Sequence, residues 1–208
     1  MAEIKDSHHV FIAGTTGSGK TFLAKTYLAG SDKPVFVLDT KRTFEWEQIP
    51  DKQLIICNRL EQIPNATANY KYIIYRPEFD EQTQEFFNSF FKYCFQLRNC
   101  TVYVDEAMQV CPNPYKMPEY YKAILTQGRE LNVNVWSASQ RPSNIPVLIM
   151  SESAHWFIFR LNAPADRKKL IDYTGYDEFD EILPQYVFLY YDTNSIKMPV
   201  KGRLSVKK

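Results

Sequence analysis

The sequence lacks any long hydrophobic run. Its most apolar stretch, Ile145 to Met150, is far shorter than the roughly 20 residues that a membrane-spanning helix needs. The first residues, Met1 to Ser7, include charged side chains and do not resemble a secretory signal. We therefore expect a cytoplasmic protein without direct membrane insertion.

Cysteine and histidine are scarce. The 208 residues contain four cysteines and three histidines, and no two cysteines form a C-x-x-C pair. This spacing argues against a disulfide framework and against a zinc site built from cysteines. We expect the four thiols to be free and buried.

The chain has almost no excess of charge of either sign. Its formal net charge is +1, which excludes attraction of the whole molecule to nucleic acid. DNA contact would need repeated copies of the chain or a local basic patch. One such patch, the basic end after Ser195, contains no acidic residue and carries Lys197, Lys201, Arg203, Lys207 and Lys208. A solvated terminal tail is the alternative interpretation.

Glycine is also infrequent, with seven residues, yet three of them lie within one stretch of eight. That stretch reads Gly14, Thr15, Thr16, Gly17, Ser18, Gly19, Lys20, Thr21, and it satisfies the phosphate-loop pattern G-x-x-x-x-G-K-[ST]. Such a loop turns its backbone N–H groups toward phosphate oxygens at the start of a helix. The pattern predicts a site for a nucleoside triphosphate with Mg²⁺, in which Lys20 contacts phosphate and the Thr21 hydroxyl binds the metal.

Strand-like and helix-like segments alternate along most of the chain. Apolar strands are expected near residues 10–13, 34–39, 72–75, 101–106, 133–139 and 156–161, with helices at 22–28, 79–98, 118–127 and 163–173. The segments 186–191 and 196–200 predict an antiparallel hairpin. The sequence therefore predicts one α/β domain over residues 1–208, with a mainly parallel sheet flanked by helices and a C-terminal β-hairpin.

Two acidic residues end the strand at 101–106. In phosphate-loop enzymes an acid in this position supports magnesium, which is the role expected for Asp105. The adjacent Glu106 could orient and deprotonate a water molecule for attack on the γ-phosphate. Two helix-capping acids are the alternative. Hydrolysis of ATP is the leading chemistry.

A polar residue, Gln140, follows the next strand. If that strand lies between the phosphate-loop strand and the strand of Asp105, Gln140 points toward the γ-phosphate. It could then sense hydrolysis.

These motifs together resemble the FtsK/HerA superfamily of ring-forming ATPases. The resemblance covers about residues 8–162 and rests on the phosphate loop, on Asp39-Thr40-Lys41, on Val104-Asp105-Glu106-Ala107, and on Gly128-Arg129-Glu130 with Ser139-Gln140-Arg141-Pro142. It implies a RecA-like (ASCE) P-loop motor core, followed by a C-terminal helix and hairpin at about 163–208. The compact chain is most similar to the small genome-packaging NTPases of tailless icosahedral membrane-containing viruses, including archaeal turreted viruses.

The resemblance also implies site roles and partners. Glu106 is implied as the catalytic base, Gln140 as the sensor, and Arg129 as a finger that acts on a neighbouring subunit's nucleotide. Geometry agrees, because a strand with a rise of about 3.3 Å per residue separates Arg129 from Gln140 by about 20 Å or more. Arg141 and Arg160 are rivals for the finger, and an arginine that only binds helix-end carbonyls is the structural alternative.

The implied partners are double-stranded DNA, further copies of the chain in a pentameric or hexameric ring, and a capsid or membrane protein at a portal vertex. Candidate DNA contacts are the basic end and the loop Val110 to Tyr121, with Tyr115, Lys116, Tyr120 and Tyr121. Packing is the alternative role for these tyrosines. The implied location is the host cytoplasm, with association with the virion as an alternative. A cellular HerA-like or conjugative motor, a small-molecule kinase and a nucleotide-dependent switch remain alternatives.

Overall fold

The computed structural model describes residues 4–195 and 197–205. Within these residues nine strands form a single sheet. They are β1 (His9–Ala13), β2 (Val35–Leu38), β3 (Leu54–Cys57), β4 (Tyr72–Tyr75), β5 (Cys100–Val104), β6 (Val133–Ser139), β7 (Ser153–Ile158), β8 (Val187–Asp192) and β9 (Val200–Arg203).

Helices connect most of these strands. They are α1 (Lys20–Leu28), α2 (Ile63–Thr67), α3 (Gln84–Leu97), α4 (Ala107–Val110), α5 (Glu119–Gln127), α6 (Val147–Ser151) and α7 (Pro164–Thr174), with short 3₁₀ turns between them. Among the described residues no helix is both long enough and apolar enough to cross a membrane.

The strand order is β3-β4-β2-β5-β6-β1-β7-β8-β9. All pairings from β3 to β7 are parallel, whereas β7–β8 and β8–β9 are antiparallel. This arrangement confirms the predicted fold class, a mainly parallel α/β sheet with a C-terminal hairpin. Because β6 lies between β1 and β5, the condition placed on Gln140 is also met.

Apolar side chains cover both faces of the sheet. On one face α3 packs with its aromatic stripe, and the Phe91 ring stacks on Tyr121 of α5 with centroids 4.4 Å apart. On the other face α1 and the segment after β2 bury Leu23, Phe44 and Trp46. The four cysteines are free and buried, as the sequence predicts.

Several elements differ from the prediction. Strand β7 covers Ser153–Ile158 rather than 156–161, because its ladder with β1 ends at the pair Ala13 and Ile158. Helix α3 starts at Gln84 because the Thr83 hydroxyl accepts a hydrogen bond from the Phe86 N–H (3.4 Å), while Phe79–Glu81 forms a separate 3₁₀ turn. The edge strand β3 was not predicted. The last strand is Val200–Arg203 rather than 196–200, because Pro199 has no N–H to donate to β8. Residue 196, which belongs to the predicted strand, lies outside the described residues.

The basic end carries less unpaired positive charge than the sequence suggests. Lys201 pairs with Glu181 at 2.7 Å, so part of its charge is neutralised within the chain. Lys197 and Arg203 are exposed. Lys207 and Lys208, which belong to the predicted patch, lie outside the described residues.

Candidate nucleotide site

The phosphate loop lies at the carboxyl edge of the sheet, between β1 and α1. Its backbone is tied to both neighbouring strand ends, since Gly14 N–H donates to the Ser139 carbonyl (3.1 Å) and Thr15 N–H donates to the Arg160 carbonyl (2.9 Å). Gly19 has φ 117°, a conformation that side-chain-bearing residues rarely adopt. A Cβ there would also lie 2.7 Å from Leu204 Cδ1, so the loop requires glycine at this position.

Lys20 is buried inside this loop. Its ammonium group donates to the carbonyl oxygens of Gly14 (2.6 Å) and Thr15 (3.0 Å). Burial lowers the pKa of Lys20 to about 8, against the opposing attraction of Glu106. The Ser18 hydroxyl is buried in the same loop without a hydrogen-bond partner among the described residues. A cation and an unsatisfied hydroxyl within a glycine-rich turn fit a bound phosphate chain.

Oxygen ligands converge beside Lys20. The Thr21 hydroxyl donates to Asp105 Oδ1 at 3.0 Å, and the buried Tyr103 hydroxyl donates to the same oxygen at 2.9 Å. Burial raises the pKa of Tyr103 well above its usual value, so this phenol stays protonated as a donor. A hydroxyl next to a carboxylate is a donor set that Mg²⁺ prefers. Thr21 and Asp105 therefore fit the predicted metal site.

Glu106 is almost fully buried, with 3% of its surface exposed. One carboxylate oxygen accepts from Lys41 Nζ at 2.9 Å, and the other accepts from the Gln140 backbone N–H at 3.2 Å. The Gln140 side chain in turn accepts a hydrogen bond from the Thr16 hydroxyl at 3.0 Å. The structure thus links Glu106, Gln140 and the phosphate loop directly.

Arg129 lies at the opposite edge of the sheet, in the 3₁₀ turn Gly128–Leu131 that precedes β6. It is exposed, and within residues 4–195 and 197–205 its guanidinium forms no hydrogen bond or ion pair. It lines a cavity of about 240 Å³ together with His9 and Glu152. Burial, reinforced by the charge of Arg129, lowers the pKa of His9 to about 4, so His9 is neutral at pH 7.

The two rival arginines have partners within the chain. Arg141 Nε donates to Asp166 at 3.0 Å, and Arg160 Nε donates to the Leu183 carbonyl at 2.7 Å. Both contacts hold the guanidinium groups against their own subunit.

The candidate DNA contacts in the loop between α4 and α5 differ in how far their side chains are exposed. Tyr115 is 97% exposed at the tip, next to the exposed Lys116, whereas Tyr120 is partly buried. Tyr121 is fully buried, and its hydroxyl lies 2.6 Å from the Ser137 hydroxyl. The inclusion of Tyr121 among the DNA contacts is therefore wrong, because its position on the inner face of α5 makes it part of the core.

Lys41 belongs to the motif Asp39-Thr40-Lys41 but had no predicted role, and Tyr103 had none either, although each contacts an acidic residue of the site. Lys41 closely follows the end of β2, and charge at the carboxyl end of a parallel strand was the available signal. The role of Tyr103 could not be predicted from the sequence, because an aromatic residue within an apolar strand is normally part of the core.

The fold and the site define a phosphate-loop NTPase. No known family profile matches the sequence. The chain is 27% identical over 177 residues to the DNA packaging ATPase P9 of Enterobacteria phage PRD1, and the match covers 83% of this chain and 72% of P9.

Solved structures extend this similarity. The genome packaging NTPase B204 of Sulfolobus turreted icosahedral virus 2, in complex with AMPPCP, has a TM-score of 0.80 at 16% identity and covers 98% of this chain and 100% of its own. VirB4 of Thermoanaerobacter pseudethanolicus has a TM-score of 0.68 at 11% identity over 96% of this chain and 89% of its own. The chain is thus a homologue of the phage ATPase P9 with the fold of B204. The similarity to P9 agrees with the predicted resemblance to small genome-packaging ATPases, and VirB4 shares the fold.

Proposed function

We propose that this chain is an ATP-hydrolysing motor that translocates double-stranded DNA and packages a viral genome into a preformed capsid. The observation that carries the proposal is the buried Glu106 carboxylate, which is held between Lys41 and the backbone of Gln140 beside the phosphate loop. The similarity to P9, whose name describes a DNA packaging ATPase, supports DNA as the substrate that is moved.

Nucleotide binding starts from the loop. Its N–H groups and the ammonium of Lys20 receive the phosphates, and Lys20 exchanges its contacts with the Gly14 and Thr15 carbonyls for phosphate oxygens. Thr21 and Asp105 would hold Mg²⁺, which would offset the negative charge of the triphosphate. Tyr103 keeps Asp105 oriented toward Thr21.

Glu106 is the proposed catalytic base. It accepts the proton of the water that attacks the γ-phosphate, while Lys41 and the Gln140 N–H fix the direction of the carboxylate. Gln140 bonds to Thr16 of the loop, so loss of the γ-phosphate alters a contact that reaches Glu106. Glu106 is followed directly by α4 and then by the loop of Tyr115 and Lys116, which would transmit the change to DNA.

Arg129 acts in trans in this proposal. It cannot serve the phosphate loop of its own chain, because β6 separates it from Gln140. A ring of five or six copies would bring each Arg129 to a neighbour's nucleotide. The same ring would place the exposed basic residues of every copy around the duplex. Their combined charge would attract DNA more strongly than one chain with a net charge of +1.

The test is the ATPase rate with and without double-stranded DNA. We expect slow basal hydrolysis that DNA stimulates. Glu106→Gln should lower turnover by about 10² to 10⁴-fold, the usual contribution of a general base, while ATP binding is retained. Glu61→Gln, at an exposed position, is the matched control.

Two outcomes would contradict the proposal. Normal turnover in Glu106→Gln would refute the assignment of the base. Phosphate transfer to an added nucleoside or sugar, rather than to water, would favour a small-molecule kinase.

A further inference from the structure

The C-terminal segment closes one side of the phosphate loop. A cavity of about 250 Å³ at the mouth of the loop is lined by Gly17, Gly19, Lys20, Thr21, Phe22 and Tyr186. A second cavity of about 440 Å³ lies between α1 and the β8–β9 hairpin, and its walls include Phe22, Leu204 and Phe188. Phe22 lines both cavities, so they adjoin at its ring.

Tyr186 is held at this junction in a rare backbone conformation. Its φ is 62°, in the left-handed region that a bulky side chain seldom adopts. The Leu204 N–H donates to the Tyr186 carbonyl at 2.9 Å, and the neighbouring Gln185 amide donates to the Gly17 carbonyl at 3.2 Å. Contacts to Leu204, which directly follows β9, and to the phosphate loop therefore stabilise a conformation that would otherwise be unfavourable. Strained residues of this kind concentrate at ligand sites.

The two sides of the loop differ in chemistry. Asp105, Glu106 and Gln140 occupy one side, where the γ-phosphate and its attacking water are expected. The other side presents the rings of Tyr186 and Phe22 and the Leu204 side chain, which lies against Gly19. A nucleotide whose terminal phosphate faces the carboxylates must extend its nucleoside part toward the aromatic side.

We infer that Tyr186, Phe22 and Leu204 form the nucleobase site, in which the base stacks on the Tyr186 ring. This inference rests on the proposed nucleotide function of the loop. Stacking on an aromatic face tolerates any base, because every base has a π-face. Apart from the Tyr186 hydroxyl, the three side chains offer carbon surfaces, and stacking on a ring does not distinguish one base from another, so the site should bind ATP and GTP alike.

The experiment measures the affinity of the full chain for ATP, GTP and inorganic tripolyphosphate by calorimetry. Tyr186→Ala should weaken ATP and GTP by about 5 to 150-fold, the equivalent of one lost base–aromatic stack, and should leave tripolyphosphate unchanged. Tyr186→Phe should retain all three affinities, because the ring remains. Phe79→Ala removes a ring that is 90% exposed and serves as the control.

Three results would overturn the inference. They are an unchanged ATP affinity in Tyr186→Ala, an equal loss of tripolyphosphate in that variant, and a GTP affinity of the unmodified chain more than about tenfold below that for ATP. The Lys20→Ala variant shows whether only the inferred base site is wrong or whether the proposed nucleotide function is wrong as well. If Lys20→Ala loses all three ligands while Tyr186→Ala binds ATP normally, only the base site is wrong; if Lys20→Ala retains them, the phosphate site is wrong as well.

Discussion

The two edges of the sheet differ in how completely they satisfy their charges. At the carboxyl edge Lys20 donates to loop carbonyls, Lys41 pairs with Glu106, and Thr21 bonds to Asp105. At the amino edge Arg129 is exposed beside a neutral His9, without an ion-pair partner among the described residues. The charged groups at the carboxyl edge are paired within the chain, whereas the guanidinium of Arg129 at the amino edge is available to a binding partner.

In the proposed ring, this difference indicates which group a neighbouring chain would supply to the site. A buried charge needs partners, so the carboxyl edge must be assembled by folding itself. An exposed arginine can remain unpaired at little cost until a partner arrives. The contrast is what a catalytic unit shared between two subunits requires, and the following experiments test each edge.

The largest effect is expected at the amino edge. Arg129→Gln should lower DNA-stimulated ATP turnover by about 10³ to 10⁵-fold without weakening ATP binding, because a finger acts on the transition state. Turnover and calorimetric affinity are measured on the same preparation. Mixing Arg129→Gln with Lys20→Ala chains should restore part of the activity, since some interfaces then combine an intact loop with an intact arginine.

The control for this experiment is Arg98→Gln. Arg98 is exposed and also precedes a strand at the amino edge, so its replacement removes the same charge from the same side of the sheet. It should leave turnover unchanged. Equal losses in both variants, or no recovery at any mixing ratio, would argue against a finger at Arg129.

A smaller effect is expected from pH at the carboxyl edge. In the free chain the pKa of Lys20 is lowered to about 8, and bound phosphate favours its charged form. Triphosphate affinity should therefore be full below pH 8 and fall by about tenfold per unit as the pH rises further, because binding must then take up a proton. Calorimetry in two buffers of different ionisation enthalpy detects that proton.

Lys20→Arg provides the comparison, because a guanidinium keeps its charge throughout this range. It should bind triphosphate without the decline above pH 8. An affinity of the unmodified chain that stays constant to pH 9.5 would show that Lys20 is not the group that titrates.

The smallest effect is expected from Lys41→Met. Glu106 would keep the Gln140 N–H but lose its cation, at a cost of about 1–3 kcal/mol in the free energy of unfolding for a buried acceptor left partly unsatisfied. Turnover should also fall, because the carboxylate is no longer held in one direction. Denaturant unfolding and ATPase assays measure the two effects, and Lys41→Arg should preserve both properties. A rise in turnover would instead identify Lys41 as an inhibitory contact.

Much of the fold could be predicted because its strands are buried runs with clear ends. The strand before Gly14 and the one before Asp105 follow this rule, as do the aromatic stripe of α3 and the C-terminal hairpin. Strand β3, Leu54–Cys57, was not predicted because it is short. It also lies at the sheet edge, where Ile56 is 42% exposed, so it lacks the pattern of a buried strand. The start of β9 depended on Pro199, whose effect on the strand ladder outweighed the apolar pattern.

Chemistry that is local in the chain can be predicted from the order of the amino acids. A glycine-rich turn, Lys20 and Thr21 are neighbours along the backbone, so their spacing is enough to predict a phosphate site. Asp105 and Glu106 likewise follow from their position at the end of a buried strand.

Contacts between residues that are distant in the chain depend on how the strands and helices are arranged in the fold. The placement of β6 between β5 and β1 brings Gln140 to Glu106, the end of β2 brings Lys41 to the same carboxylate, and the return of the chain after α7 brings Tyr186 to Gly19. Strand order and long-range hydrogen bonds fix these contacts. They depend on how whole elements pack, and no local spacing in the sequence encodes that packing.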